Sequence, residues 1–246
     1  MKRRILALIL IFSLTSASAI SATGSMTING PTGLVRMPSA IVLSSKDWNA
    51  GIDYIFDNAL ASSISNLSDI SGSWSYKMNI GADMGPDKGM ELGFVGRTEK
   101  VTNRFKEGVL INLKYALSSS NDPYALSMAI GVENLTATMD SDAYIVASKY
   151  FKGGFGIHFG AMFDFPSNMK VRPLGMLGAD IPVSGNDLKL LADLFSGESV
   201  FQVNAGMRYN FNKTLSLLIR GLNVTNSTTA KDYQVFSAGF CMTTPF

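Results

Sequence analysis

From residue 48 to its last residue the chain is written in period two. In ISGSWSYKMNIGAD, Ile70, Gly72, Trp74, Tyr76, Met78, Ile80 and Ala82 alternate with Ser71, Ser73, Ser75, Lys77, Asn79, Gly81 and Asp83. Successive strand residues point to opposite faces, whereas a helix would scatter this pattern around its axis. Each such segment is therefore read as a strand with one apolar, aromatic face and one small or polar face. WNAGIDYIF, FGIHFGAMFDF, FQVNAGMRYNF and the closing YQVFSAGFCMTTPF repeat the arrangement.

Twelve strands are expected, centred near residues 52, 76, 93, 113, 129, 147, 160, 178, 191, 206, 218 and 239. Residues 174–183 and 188–195 carry apolar side chains on both faces, so ten and fourteen strands are the alternatives. The expected connections alternate in length. Residues 57–69, 98–107, 135–142, 166–172, 196–200 and 223–232 form the set that is longer on the whole, while 83–89, 119–123, 152–154, 183–187 and 212–213 are shorter on the whole and hold turn formers such as Gly153-Gly154 and Gly185-Asn186-Asp187.

The first residues, MKRRILALILIFSLTSASA, combine Lys2, Arg3 and Arg4 with an apolar run and an A-x-A spacing at Ala17 and Ala19. That is the pattern of a secretory signal peptide, 1–19. Without those three cations, Lys+Arg falls from 21 to 18 against 19 Asp+Glu, and the net charge goes from +2 to about −1. No basic footprint for nucleic acid remains. Charged residues make up only 16% of the chain, against about 25% in a typical soluble domain. Yet no later stretch supplies the roughly 18 apolar residues of a helical span. Cys241, the single cysteine, leaves no internal disulfide to stabilise a secreted domain.

An exported, charge-poor chain with alternating strands and alternating short turns and long loops reads as an all-β transmembrane antiparallel barrel of the bacterial outer membrane, spanning 48–246. Both termini would lie in the periplasm. Trp48, Tyr115, Tyr150, Phe155, Tyr209, Phe211 and Phe246 would form one aromatic girdle, and Phe56, Phe94, Tyr144, Phe165, Phe201 and Phe236 the other. A soluble sandwich or small barrel also alternates, but it would have to hide all those aromatic faces in one core. Phe240, Met242 and Phe246 on the last strand are the expected signal for the barrel-assembly machinery, with membrane lipids as the surrounding partner.

The charged residues expected on the inner face are Asp53, Lys77, Asp83, Glu91, Arg97, Lys114, Glu133, Lys149, Asp164, Lys189, Asp193, Arg208 and Arg220, seven basic and six acidic. Selective pores line up charges of one sign, so a near-balanced set points to ion pairs that fill a narrow lumen. A weakly anion-preferring pore on Arg97, Arg208 and Arg220 is the alternative. The only histidine, His158, has no assignable serine and acid partners by spacing, and it is read as a packed lumen residue. No catalytic residue, metal ligand or cofactor is expected.

Residues 20–47 alternate least and form either an N-terminal arm or a small plug. Within them GPTGLVRMPSAIVL, through Gly30, Gly33, Leu34, Pro38, Ala40 and Leu43, resembles the opening motif of YjbH-like outer-membrane proteins, and 143–151 and the run from 188 to 211 are similar to strands of that family. The resemblance implies a non-enzymatic outer-membrane barrel associated with exopolysaccharide production or export, with polysaccharide or export proteins as partners. This chain is far shorter than the long members and lacks their lipoprotein cysteine. A narrow general porin for small solutes is the alternative from another class, and a lipid-modifying enzyme a third.

Overall fold

The computed structural model describes residues 25–56, 72–84, 89–98, 105–118, 122, 124–137, 141–166, 170–184, 187–198, 200–225 and 234–245. The expected leader, the interior of several connections and Phe246 lie outside the described residues. The twelve strands are β1 (Asp47–Phe56), β2 (Gly72–Asp83), β3 (Gly89–Thr98), β4 (Phe105–Ser118), β5 (Ser127–Glu133), β6 (Ser141–Tyr150), β7 (Gly156–Phe165), β8 (Arg172–Ser184), β9 (Leu188–Ser196), β10 (Phe201–Asn210), β11 (Leu215–Leu222) and β12 (Val235–Pro245). Each pairs antiparallel with its chain neighbours, and β1 pairs with β12, from Asp47 opposite Pro245 to Phe56 opposite Phe236. The sheet is a closed barrel with no free edge.

The closing rung explains why Pro245 is tolerated. It ends its strand, where a missing N–H costs little, and Pro182 likewise sits beside a register shift between β8 and β9. Two further shifts lie between Gly96 and Thr98 and between Ala116 and Ser118. The end at which β1 starts and β12 finishes is the near end; the opposite one is the far end. The far-end connections 57–71 and 223–234 are the longest, but β3 and β4 run further than expected, which leaves only 99–104 between them. The near-end turn after β10 closes on Asn212, whose Oδ1 accepts from the Thr214 and Leu215 amides at 2.8 Å.

Outward positions hold the large apolar side chains. Ile52, Trp74, Tyr76, Ile130, Phe159, Leu177, Ile219 and Phe240 are all at least 36% exposed, and every strand except β3 contributes such a residue among those described. A band this wide far exceeds the apolar patches of a soluble monomer. Inward positions are mostly polar or charged and fully covered. What covers them is the chain itself.

Candidate functional site

Twelve strands spaced about 4.8 Å apart and tilted by about 40° enclose a cylinder roughly 24 Å across between backbones. That is too wide for inward side chains alone to fill. Residues 25–46 occupy it, and Met26, Leu34, Val35, Met37 and Ala40 are at most 2% exposed. The segment folds back on itself: the Gly33 amide donates to Ser25 at 2.7 Å, the Ile28 amide to Val35 at 2.8 Å, and the Leu34 amide to Met37 at 2.9 Å.

Two motif glycines permit this path. Gly30 adopts φ +114°, and a Cβ there would lie 2.7 Å from Nδ2 of Asn112 on β4. At Gly33 a Cβ would lie 2.8 Å from Cα of Pro38. Leu34, Ala40 and Leu43 are buried, as is Pro38. The segment is therefore written for close approach and apolar packing.

The wall that receives it has two characters. On one side Leu34, Val35, Met37 and Ala40 pack against Ala129, Tyr144, Val146, Met162, Leu174, Met176, Leu191 and Phe195, supplied by β5 to β9. Burying each of the larger plug side chains contributes about 2 kcal/mol. Strands β8 and β9, apolar on both faces, thus line the plug's apolar side. Across the lumen, Met26 meets Leu218 and Cys241, and polar contacts join the plug to the wall as well.

Three buried charge clusters hold the plug's backbone. Asp53 bridges Lys77 and Arg220; Lys77 Nζ then donates to the Thr27 carbonyl at 2.8 Å and Arg220 Nη1 to the Met26 carbonyl at 2.9 Å. Glu91 accepts the Thr32 amide at 2.8 Å and its hydroxyl at 2.7 Å. Its ion-pair partner Lys114, 3.2 Å away, donates to the carbonyls of Thr32 at 3.1 Å and Ile41 at 2.7 Å. Asp193 Oδ2 accepts three consecutive amides, Val35 at 3.0 Å, Arg36 at 2.9 Å and Met37 at 3.1 Å, while Asn204 donates to Oδ1 at 2.6 Å. These wall charges face the free N–H and C=O groups of an irregular segment, which burial would otherwise leave unsatisfied.

A fourth cluster joins β6, β7, β8 and β9. Ser148 Oγ accepts the Ala40 amide at 2.8 Å and lies 2.8 Å from Nδ1 of His158, whose Nε2 is 3.3 Å from Asp180; Lys189 is 3.2 Å from the same carboxylate. A serine, a histidine and an aspartate in sequence invite comparison with a hydrolytic triad. Here Ser148, His158 and Asp180 are at most 3% exposed, and the serine oxygen already receives the plug's N–H. The cluster is a strut between plug and wall.

At its far tip the plug presents Asn29. Its Nδ2 donates to Glu133 at 3.0 Å, its Oδ1 accepts from Arg97 at 2.9 Å, and its carbonyl accepts from Asn112 at 2.9 Å. Asp164 pairs with Arg172 beside the far rim, and Arg208 is buried on β10. Asp83 ends β2 exposed at the near rim.

One inner-face expectation is corrected. On β6 the register puts Asp142, Tyr144, Val146, Ser148 and Tyr150 inward, so Lys149, opposite Ile157, points outward and donates to the Tyr124 carbonyl of the neighbouring connection. Tyr144 and Tyr150, expected in the girdles, face the lumen on the same side of β6 as Ser148. Both faces of SDAYIVASKY carry apolar residues, and pairing of Ser148 with His158 and Asp142 with Asp164 decides the phase. Sequence reasoning also missed Asp142, Asp180, Ser148 and Arg36. Asp142 reads as a loop charge, and Asp180 sits in a strand whose two faces look alike. Of the assembly residues, Phe240 and Met242 are exposed on the outer face of β12.

Fold and lumen together define a porin-like twelve-stranded β-barrel occupied by its own N-terminal segment. No family profile matches the sequence, and no curated protein matches it. Among solved structures, the KdgM porin superposes with a TM-score of 0.50 at 9% identity, over 78% of this chain and 98% of its own. The KdgM porin in complex with disordered oligogalacturonate gives the same figures. The COG4313 outer membrane channel from Pseudomonas putida F1 reaches 0.49 at 12% identity, over 82% of this chain and 97% of its own. At these identities the likeness is one of fold.

Proposed function

We propose that this chain is a non-enzymatic outer-membrane barrel, with both termini in the periplasm, that is held closed by residues 25–46 and serves as an accessory component of the envelope. The single observation that carries this reading is that the plug's backbone is bonded by buried charges on β2, β3, β4, β9 and β11. Asp53 lies between Lys77 and Arg220, and Glu91 pairs with Lys114, so these lumen charges form clusters of mixed sign and not a ring of one sign that would select ions. The outward apolar band supports the membrane location. The likeness of Gly30, Gly33, Leu34, Pro38, Ala40 and Leu43 to the YjbH-like opening supports a link to exopolysaccharide export, which loss of surface polysaccharide on deletion would test.

The test of closure is electrical. The mature chain, refolded in detergent and checked by a heat-dependent gel shift, should give no stable unitary currents in a planar bilayer. Stable steps from the intact chain overturn the reading and favour the narrow porin. The same recording on a chain lacking 25–45 should show steps where the parent is silent.

A further inference from the structure

On the outer face of β5 to β9 the apolar band is interrupted by a trough of about 540 Å³. Its floor is made of small side chains that the strand register sets side by side. Gly175 on β8 lies opposite both Ser196 on β9 and Ala161 on β7, and Ala147 on β6 is one diagonal step from Ala161. Ile145, Phe159 and Leu177, all exposed, stand along it as walls. The path from Ser196 to Ala147 crosses three strand spacings, about 15 Å, which gives room to most of one extended acyl chain.

The end of the trough at Ala147 is cationic. The next outward residue on β6 is Lys149, and Lys152 is exposed on the turn that follows. Lys149 gives one of its three donors to the Tyr124 carbonyl, which leaves its charge in place. Asp122, the acid of that connection, turns Oδ1 to the Tyr124 amide at 2.9 Å, and no carboxylate among the described residues pairs with Lys149 or Lys152. On the same turn the rings of Phe151 and Phe155 stack with centroids 5.8 Å apart. Aromatic side chains at a strand end mark the membrane interface, so the two ammonium groups lie at headgroup depth.

We propose that the trough binds one anionic glycerophospholipid of the leaflet at the near end. One acyl chain lies over Ala147, Ala161 and Gly175, and the phosphate sits between Lys149 and Lys152. Two cations with no acid beside them favour a lipid of net negative charge over a zwitterion, whose own ammonium they repel. A second copy of the chain fits worse. A two-fold contact would lay hollow on hollow and leave both lysines without a counter-charge. The proposal rests on the outward band facing lipid and is independent of whether the lumen is closed.

The test is native mass spectrometry of the refolded chain, released from micelles that hold equal amounts of phosphatidylglycerol and phosphatidylcholine with the same acyl chains. One phosphatidylglycerol should be retained per barrel, at least five-fold over phosphatidylcholine. Lys149→Gln combined with Lys152→Gln should bring the two lipids to equal retention. Gly175→Phe should fill the trough, because a Cβ there has only the Ser196 carbonyl within 4 Å, at 3.6 Å. It should lower retention at least five-fold with the heat-dependent gel shift intact, and Ala161→Phe carries the test if that variant fails to fold. Equal retention of both lipids by the parent, selectivity unchanged in the double lysine variant, or retention unchanged by the filling variants overturns the proposal. So does a dimer that Gly175→Phe dissolves, since a second copy would then be the occupant. A chain that shows the gel shift and retains no phosphatidylglycerol loses this site and keeps the membrane barrel; a chain with no gel shift loses both.

Discussion

Asp193 on β9 and Met37 in the plug are 156 residues apart and joined by a hydrogen bond of 3.1 Å from the Met37 amide to the carboxylate. The same oxygen receives the amides of Val35 and Arg36. One wall side chain thus satisfies a whole turn of the plug, much as a capping carboxylate satisfies the first turn of a helix.

Asp193→Ala should therefore loosen the plug more than the barrel. Each buried donor left without a partner costs about 1–3 kcal/mol, so the plug should lose about 3 kcal/mol or more. Limited proteolysis within 25–46 should accelerate while the heat-dependent gel shift persists. Asp193→Asn keeps an acceptor oxygen and should fall between the two.

Asp53 separates two buried cations, and its loss should be the costlier change in that cluster. Removing one partner of a buried pair costs about 3–5 kcal/mol, because the charge left behind has no compensation. Asp53→Ala leaves both Lys77 and Arg220 buried; Lys77→Met leaves the Asp53–Arg220 pair intact. The midpoint temperature of the gel shift should fall further for Asp53→Ala, and the reverse order would contradict the geometry.

Glu91 and Lys114 should resist the usual rescue of an ion pair. Lys114 also donates to the Thr32 and Ile41 carbonyls, and Glu91 accepts the Thr32 amide. Swapping them to Glu91→Lys with Lys114→Glu restores the pair but turns donors and acceptors away from their plug partners. The double variant should stay as destabilised as either single one in thermal gel-shift measurements.

Gly81 lies against the point where the plug leaves the lumen for β1. A Cβ there would press on the Ser44 carbonyl and reach 2.8 Å from that of Leu43, and backbone atoms give way less readily than side-chain tips. Gly81→Ala should cost about 1–3 kcal/mol through overpacking, read as a lowered gel-shift midpoint.

Cys241 can report where the plug is. It is 4% exposed and packed with Met26 and Leu218 inside the barrel. Maleimide labelling of the folded chain, followed by mass spectrometry, should be slow in the parent and at least ten-fold faster when Asp193→Ala is added. Rapid labelling of the parent would mean that the segment does not stay seated.

The sequence by itself determined the strands, their alternation and most of the inner charges, because a pleated strand writes its two faces directly into residue order. Asp53, Lys77, Glu91, Lys114 and Arg220 are readable in that way. It also held an unused sign of the plug: residues 174–183 and 188–195 are apolar on both faces, which a water-filled lumen would not require but an apolar insert does. Tertiary structure alone decided which backbone groups those charges meet, since Asp193 and Met37 find each other only once the barrel has closed. It also decided the phase of β6. There both faces are alike, and the choice between Ser148 and Lys149 was made by His158 and Asp164 on the neighbouring strand, a pairing energy that no single segment contains.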